Sequence, residues 1–345
     1  MTNKERYIEW SAAQEYVPIF MMPWWLDAVC AGKEWDVLLV ESRKIAGEPL
    51  KVESEEIAGE PLKEESDEAA TEIIGAMPYL LRKRAWLKYI VMPQQTQIGG
   101  IWVTPEITAD RWKTAEVCRA IKEQLDTLGL AYYYQQYLPG SLCVDAMRAL
   151  GFKTRERVTY RMADLSDMDA VIAGFSKNKR RQLQKSLSLR VDHTMDIEDF
   201  YRFHCECLAI RKRKISYTRE FLLVLERKAK RLGQCAVLSV RNADNIPYAA
   251  AFLVWDKNYM YYLIPAINPA FGDSGAGALL VLEAMKMARD KHVLFDFEGS
   301  MERGTAKHYK QFGSTPVTYY SVEKYYKPFF RLAIWFQKLR EWRYR

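Results

Sequence analysis

Short runs of alternating apolar and polar residues recur along the chain, separated by segments whose apolar positions repeat every three or four residues. In the first half this pattern predicts a short helix in "PWWLDAVCA" (23–31) and strands around 36–41, 73–82 and 86–92. "ADRWKTAEVCRAIKEQLDTLG" (109–129) reads as a helix with an aspartate near its start and Gly129 at its end. A strand "AYYYQQY", a helix "SLCVDAMRALGF" and a strand "RERVTYRMA" follow. From Ser166 the segment "SDMDAVIAGFSKNKRRQLQKSL" opens on a serine cap and has no strand pattern, so the domain boundary is placed there, giving units 1–165 and 166–345.

The second half runs helix, helix, then strands "QCAVLSVRN", "IPYAAAFLVWD" and "YMYYLIPAI", with "RNADNIP" as a hairpin turn. A glycine-rich turn, the helix "ALLVLEAMKMARD", the strand "HVLFDFEGS" and a helix carrying Tyr309 and Lys310 come next. The last segment, "YYKPFFRLAIWFQKLREWRYR", reads as an aromatic and basic helix with Leu332, Trp335, Phe336, Leu339 and Trp342 on one face. Each half ends in a helix, a Gly-Phe or Phe-Gly pair and a strand, "CVDAMRALGFKTRERVTYRM" and "TAKHYKQFGSTPVTYYSVEK". Two copies of one α/β unit are the simplest account.

Composition narrows the classes. With 49% apolar and 28% charged residues over 345 positions, the chain has the balance of an ordinary globular protein of about two domains. It has no apolar run of spanning length and no leader-like start, so a cytoplasmic location is expected. The six cysteines show no paired spacing. In His204-Cys205-Glu206-Cys207, residues two apart on a helix point away from each other, so no metal is expected.

The net charge of +7 is local. Lys177 to Arg231 holds 16 basic and 7 acidic residues, which suits a phosphate-bearing partner such as tRNA, a nucleotide-linked substrate or an anionic lipid surface; no DNA partner is expected. The opposite bias lies in 42–72, where "IAGEPLKVES" (45–54) returns as "IAGEPLKEES" (57–66) and reads as a duplicated, acidic hairpin loop without assigned function.

Candidate chemistry concentrates in the second half. Gly272, Gly275 and Gly277, with Ala276 and Ala278, stand between a strand and a helix start, where free N–H groups and the helix dipole favour a phosphate, although tight connections use the same residues. In "FDFEG", Asp296 and Glu298 share one strand face and Phe295 and Phe297 the other. Either carboxylate is a candidate general base if burial raises it, or a cap for the glycine bend. Lys177, Arg181 and Lys185 recur at i, i+4 and i+8, a stripe that grips phosphate or a plain charged face.

The order of strand, glycine-rich turn, helix, strand and Tyr-bearing helix resembles the GNAT acyltransferase fold. "FDFEGSMERGTAKHYKQFG" (295–313) resembles the Asp-Phe-x-Gly…Phe-Lys-x-x-Phe-Gly stretch of the Fem-type aminoacyltransferases, enzymes of two GNAT-like domains. "FSKNKRRQLQKSL" is similar to that family's Lys-x-x-x-Arg helix, and "MPWWLDAVCAGKEWDVLL" to its N-terminal helix and strand. The resemblance implies tandem GNAT-like units, each a mixed, mostly antiparallel sheet flanked by helices. It also implies transfer of an acyl or aminoacyl group from acyl-CoA or aminoacyl-tRNA to an amine, with direct attack and no metal. A lipid-linked or nucleotide-linked envelope precursor would be the acceptor, with peripheral membrane contact through 329–345.

In this comparison Lys310 falls on the family lysine, able to stabilise carbonyl or phosphate charge, and Tyr309 on a position that protonates leaving groups in many GNAT enzymes. The first half departs from the pattern: it lacks a glycine-rich turn before "ADRWKTAEV" and has Met147 where Tyr309 would align. Lys33 is its one candidate acceptor contact. The alternatives are an acetyl-CoA-dependent N-acetyltransferase acting on a small-molecule or sugar amine, and a catalytically silent GNAT-fold binding module.

Overall fold

The computed structural model describes residues 1–30, 34–42, 72–299 and 303–331. Lys33, the repeat at 45–66 and the apolar face beyond residue 331 lie outside them. The first half contains α1 (Asn3–Ala13), α2 (Pro23–Val29), β1 (Trp35–Glu41), β2 (Ile73–Arg84), β3 (Leu87–Val91), β4 (Trp102–Val103), α3 (Pro105–Thr108), α4 (Arg111–Thr127), β5 (Leu130–Tyr137), α5 (Cys143–Ala149) and β6 (Lys153–Met162). The second contains α6 (Met168–Ala173), α7 (Lys177–Lys185), β7 (Arg190–Asp192), α8 (Ile197–Ile210), α9 (Arg219–Arg231), β8 (Cys235–Arg241), β9 (Pro247–Trp255), β10 (Tyr259–Ile267), α10 (Ala276–Asp290), β11 (Leu294–Asp296), α11 (Arg303–Lys310) and β12 (Thr315–Tyr325).

Side-chain caps start many of the helices. Thr2 and Glu5 form a capping box on α1, and Asp110, Asp167, Ser176, Asp196 and Thr218 accept first-turn N–H groups on α4, α6, α7, α8 and α9. The chain is of the α/β (α+β) class, a mixed and mostly antiparallel sheet between helices, with parallel pairs at β3/β5 and β10/β11.

The two halves share one continuous sheet of order β1-β2-β3-β5-β12-β6-β11-β10-β9-β8-β7, with β4 beside β2. Their final strands are exchanged. β6 from the first half pairs with β11, and β12 from the second half inserts between β5 and β6. One buried cluster joins α2, α8 and α9 across the β1 and β9 faces, while α10 and α11 cover the opposite face of the second half and α4 and α5 that of the first. Buried Asp256 ties the halves together by accepting from Ile19 N (3.2 Å), Tyr16 Oη (3.3 Å) and Tyr261 Oη (3.3 Å). Among the described residues no helix is long and apolar enough to cross a membrane.

Parallel strands β3 and β5 diverge after Ile90 and Tyr133, and the chain itself fills that gap. Gly99 N donates to Gln136 O, Gly100 N to Gln135 Oε1, and a Cβ on Gly100 would stand 2.6 Å from the Tyr137 ring. The corresponding gap in the second half is built differently.

Candidate active site

β10 and β11 pair only from Tyr259/Leu294 to Tyr261/Asp296. Beyond that, the register of β10 against β9 slips between Tyr261 and Ile264, while the chain after Asp296 swings toward β6. Phe297 N donates to Tyr160 O, and Glu298 adopts a left-handed φ of 59°. Gly299 lies so close to β6 and β12 that a Cβ would stand 2.7 Å from Val158 O and 2.9 Å from Tyr319 Oη. The two strands thus part at Asp296.

Alternation puts Phe295 and Phe297 on the α10 and α11 face, where Phe297 stacks on Tyr309 at 4.5 Å. Asp296 faces the other way and is fully buried. Its Oδ1 accepts from Thr159 Oγ1 (2.5 Å) and Glu298 N (2.8 Å), and its Oδ2 from Arg161 Nε (2.7 Å). Arg161 in turn lies 4.1 Å over the Tyr259 ring. Burial pushes the Asp296 carboxyl up, opposed by Arg161 and these hydrogen bonds. With three donors on it, Asp296 is the anchor of a network that joins β6 to β11.

Glu298 is the contrasting carboxyl. Its Oε1 is out of solvent with no hydrogen-bond partner among the described residues, and burial, followed by the nearby Asp296 charge, raises it well above the usual carboxylate range. The Tyr262 hydroxyl, on the irregular stretch of β10, is also buried and unpartnered. Burial raises both the Tyr262 and Tyr309 phenols, with Glu298 adding to Tyr309, so both stay protonated at neutral pH. A carboxyl raised above its ordinary range beside fixed phenols is chemically equipped to move protons.

Tyr309 and Lys310 separate in space. Tyr309 enters the core, whereas exposed Lys310 lines a shallow depression of about 550 Å³ with Ser176, Ala306, Lys307 and Gln311. The start of α7 is tied to the end of α11 by Ser176 N donating to Gln311 O (2.8 Å). Lys177, Arg181 and Lys185 are all exposed on α7. Lys179 is the buried basic residue of that helix, 3% exposed, held by Gln182 Oε1 (2.9 Å) and His308 Nδ1 (3.2 Å) and lying 4.6 Å over the Phe312 ring. Burial lowers Lys179 to about 8, and burial with the Lys179 charge lowers His308 to about 4.

The glycine-rich turn is covered. Gly275, with φ of 83°, packs against the end of α7 so closely that a Cβ would stand 1.9 Å from Gln182 O, and a Cβ on Gly277 would meet Ile267 Cδ1 at 2.9 Å. Ala276 and Ala278 are buried. Ala276 N is capped by Ser274 Oγ (3.2 Å), and Ala278 N and Leu279 N both bond to Gly275 O (3.0 Å). Gly272 stays exposed outside this contact. The geometry of Gly275 is that of close helix packing, and the expected cradle of free N–H groups is largely satisfied by the protein itself.

Sequence reasoning did not single out Thr159, Arg161, Tyr262, Lys179 or Gln97. The alternating charges of "RERVTYRMA" mark a polar strand face but not its partner, and a tyrosine inside an apolar strand carries no signal of its missing hydrogen bond.

Comparison with known proteins places these features. Residues 153–311 match the model of the acetyltransferase (GNAT) domain family, a match that begins at β6, the strand lent to the second half. The crystal structure of FemX superposes with a TM-score of 0.64 at 13% identity, covering 93% of this chain and 96% of that one. A tandem GNAT protein from the clavulanic acid biosynthesis pathway gives a TM-score of 0.47 at 13% identity, covering 74% and 80%. No curated protein sequence matches significantly. The fold is therefore a Fem-like tandem GNAT fold, and within it residues 153–311 are similar to the GNAT acetyltransferase domain.

Proposed function

We propose that the chain is an aminoacyltransferase: it moves an aminoacyl group from aminoacyl-tRNA to a primary amine of an envelope precursor, the acceptor class its Fem-like resemblance implies. The observation that carries the reading is the half-buried Glu298, whose carboxyl Oε1 is out of solvent and unpartnered among the described residues, near Tyr309 where β10 and β11 part. Glu298 takes a proton from the acceptor ammonium, and the freed amine attacks the ester carbonyl. As the carbon–oxygen bond to the ribose breaks, Tyr309 gives its proton to the leaving oxygen and recovers one from the new amide nitrogen. One proton is released in sum. Asp296 holds the strand, and its Oδ1, by accepting from the Glu298 backbone N–H, holds Glu298 in place.

The donor assignment rests on α7. Gln182 O against Gly275 occupies the turn on which a pyrophosphate would rest, which disfavours acyl-CoA. The exposed Lys177, Arg181, Lys185 and Lys310 instead offer a surface to a larger phosphate backbone. The match to an acetyltransferase model favours the acyl-CoA reading. Calorimetry with acetyl-CoA against filter binding with charged tRNA separates them: binding of acetyl-CoA alone, with turnover, overturns the tRNA assignment. A Glu298→Gln variant that transfers as well as wild type would remove Glu298 from the chemistry, and a wild-type chain that transfers from neither donor would leave only a binding module.

A further inference from the structure

Gln97 lies on the segment that fills the first half's gap, 7% exposed, and its Nε2 donates to Thr159 Oγ1 at 3.2 Å. Thr159 has a single hydroxyl proton, which it donates to Asp296 Oδ1 at 2.5 Å. Thr159 is therefore only an acceptor toward Gln97, and the flipped amide, which would set two acceptors face to face, is excluded. Gln97 Oε1 is consequently turned away, buried and without a hydrogen-bond partner among the described residues. Glu298 Oε1 is in the same condition, and Glu298 N is bonded to the same Asp296 Oδ1.

Two orphan acceptor oxygens, one from each half of the chain, thus hang from one chain of bonds, Gln97 to Thr159 to Asp296 to Glu298. Buried acceptors select ligands that are donors. A phosphate or carboxylate offers further acceptors, and a hydroxyl has one proton for two oxygens. A primary ammonium has three N–H donors, no acceptor, and a charge opposite to that of the Glu298 carboxylate.

We propose that Gln97 Oε1 and Glu298 Oε1 form the seat of the acceptor's primary ammonium group, so that the first half supplies a binding group to the reaction centre in the second. The inference rests on the proposed function only in making that ammonium the nucleophile. When Glu298 takes one proton, the amine stays hydrogen-bonded to Gln97, with its lone pair free for the carbonyl.

The test uses the full chain with selectively ¹⁵N-labelled glutamine, the Gln97 side-chain amide being assigned by its loss in Gln97→Met. Titration with n-propylammonium is expected to shift that signal, and titration with n-propanol to leave it in place. In transfer assays Gln97→Met is expected to raise the KM for the acceptor on the order of tenfold while changing kcat much less. No shift with n-propylammonium, an equal shift with n-propanol, or an unchanged KM in an active Gln97→Met variant overturns the seat. A propylammonium-specific shift in a protein that transfers nothing supports the seat and removes the aminoacyl-transfer reading, so the two failures are distinct.

Discussion

The main-chain oxygen of Gln182 sits where the side chain of any residue but glycine at position 275 would begin, with a Cβ there only 1.9 Å away. Gly275→Ala should therefore destabilise the fold by more than about 2 kcal/mol, from the left-handed backbone plus the clash, read as a lower urea midpoint. Gly272→Ala, whose Cβ would meet only Pro269 O at 3.4 Å, should stay within about 0.5 kcal/mol of wild type. A Gly275→Ala protein of unchanged midpoint would return the turn to the role of a ligand cradle.

Asp296→Asn removes the buried charge that pairs with the partly buried Arg161. The expected cost is about 3 kcal/mol, because the guanidinium is left without its partner. Thermal unfolding checks it, and a variant as stable as wild type would mean that the network is not holding the two halves together.

Glu298→Gln separates stability from activity. The wild-type carboxyl is raised in the folded state, so the folded protein binds its proton more tightly than the unfolded chain does. That contribution to stability is complete below about 4.5, the unfolded value, and is lost as pH rises through the higher folded value. Denaturation midpoints from pH 4 upward should fall in wild type relative to Glu298→Gln. Transfer by the wild type should show an acidic limb above the usual glutamate range, and Glu298→Gln should lose turnover without losing its fold.

Lys179 has the opposite sign of linkage. Its folded value of about 8 lies below 10.5, so the unfolded chain binds the extra proton between the two and stability should rise with pH across that window. Lys179→Met should abolish the rise. Midpoints of both proteins at pH 7.5 and pH 10 check it, and an equal change in the two would assign the titration to another group.

Lys310→Ala should leave the melting temperature unchanged, since the side chain is exposed and lines only the shallow depression beside Ser176. Its expected effect is on the donor: weaker binding of charged tRNA and a salt slope reduced by about one. An altered melting temperature with unaltered tRNA binding would refute this.

Much of the architecture was legible because periodicity reports which face of an element is buried. The runs that become β8, β9 and β10 and the helix α10 are in place, and Phe295 and Phe297 share a face as their alternation requires. Periodicity says nothing of neighbours. The exchange of β6 and β12 was invisible because a strand's side-chain pattern is the same beside either half's sheet. The same limit hid α7 lying on Gly275, a contact between residues far apart in sequence. In "FDFEG" the two carboxylates looked equivalent; the left-handed turn at Glu298 separates them, leaving one with three donors and the other's Oε1 with none.

The lent strands also bear on synthesis. β12 is the last described strand, yet it closes the gap between β5 and β6, both made long before it. On a ribosome the N-terminal half therefore waits with two strand edges open until residues 315–325 have emerged, and it cannot finish folding as an independent unit. For this chain, the sheet of the N-terminal half is completed only by synthesis of the C-terminal one.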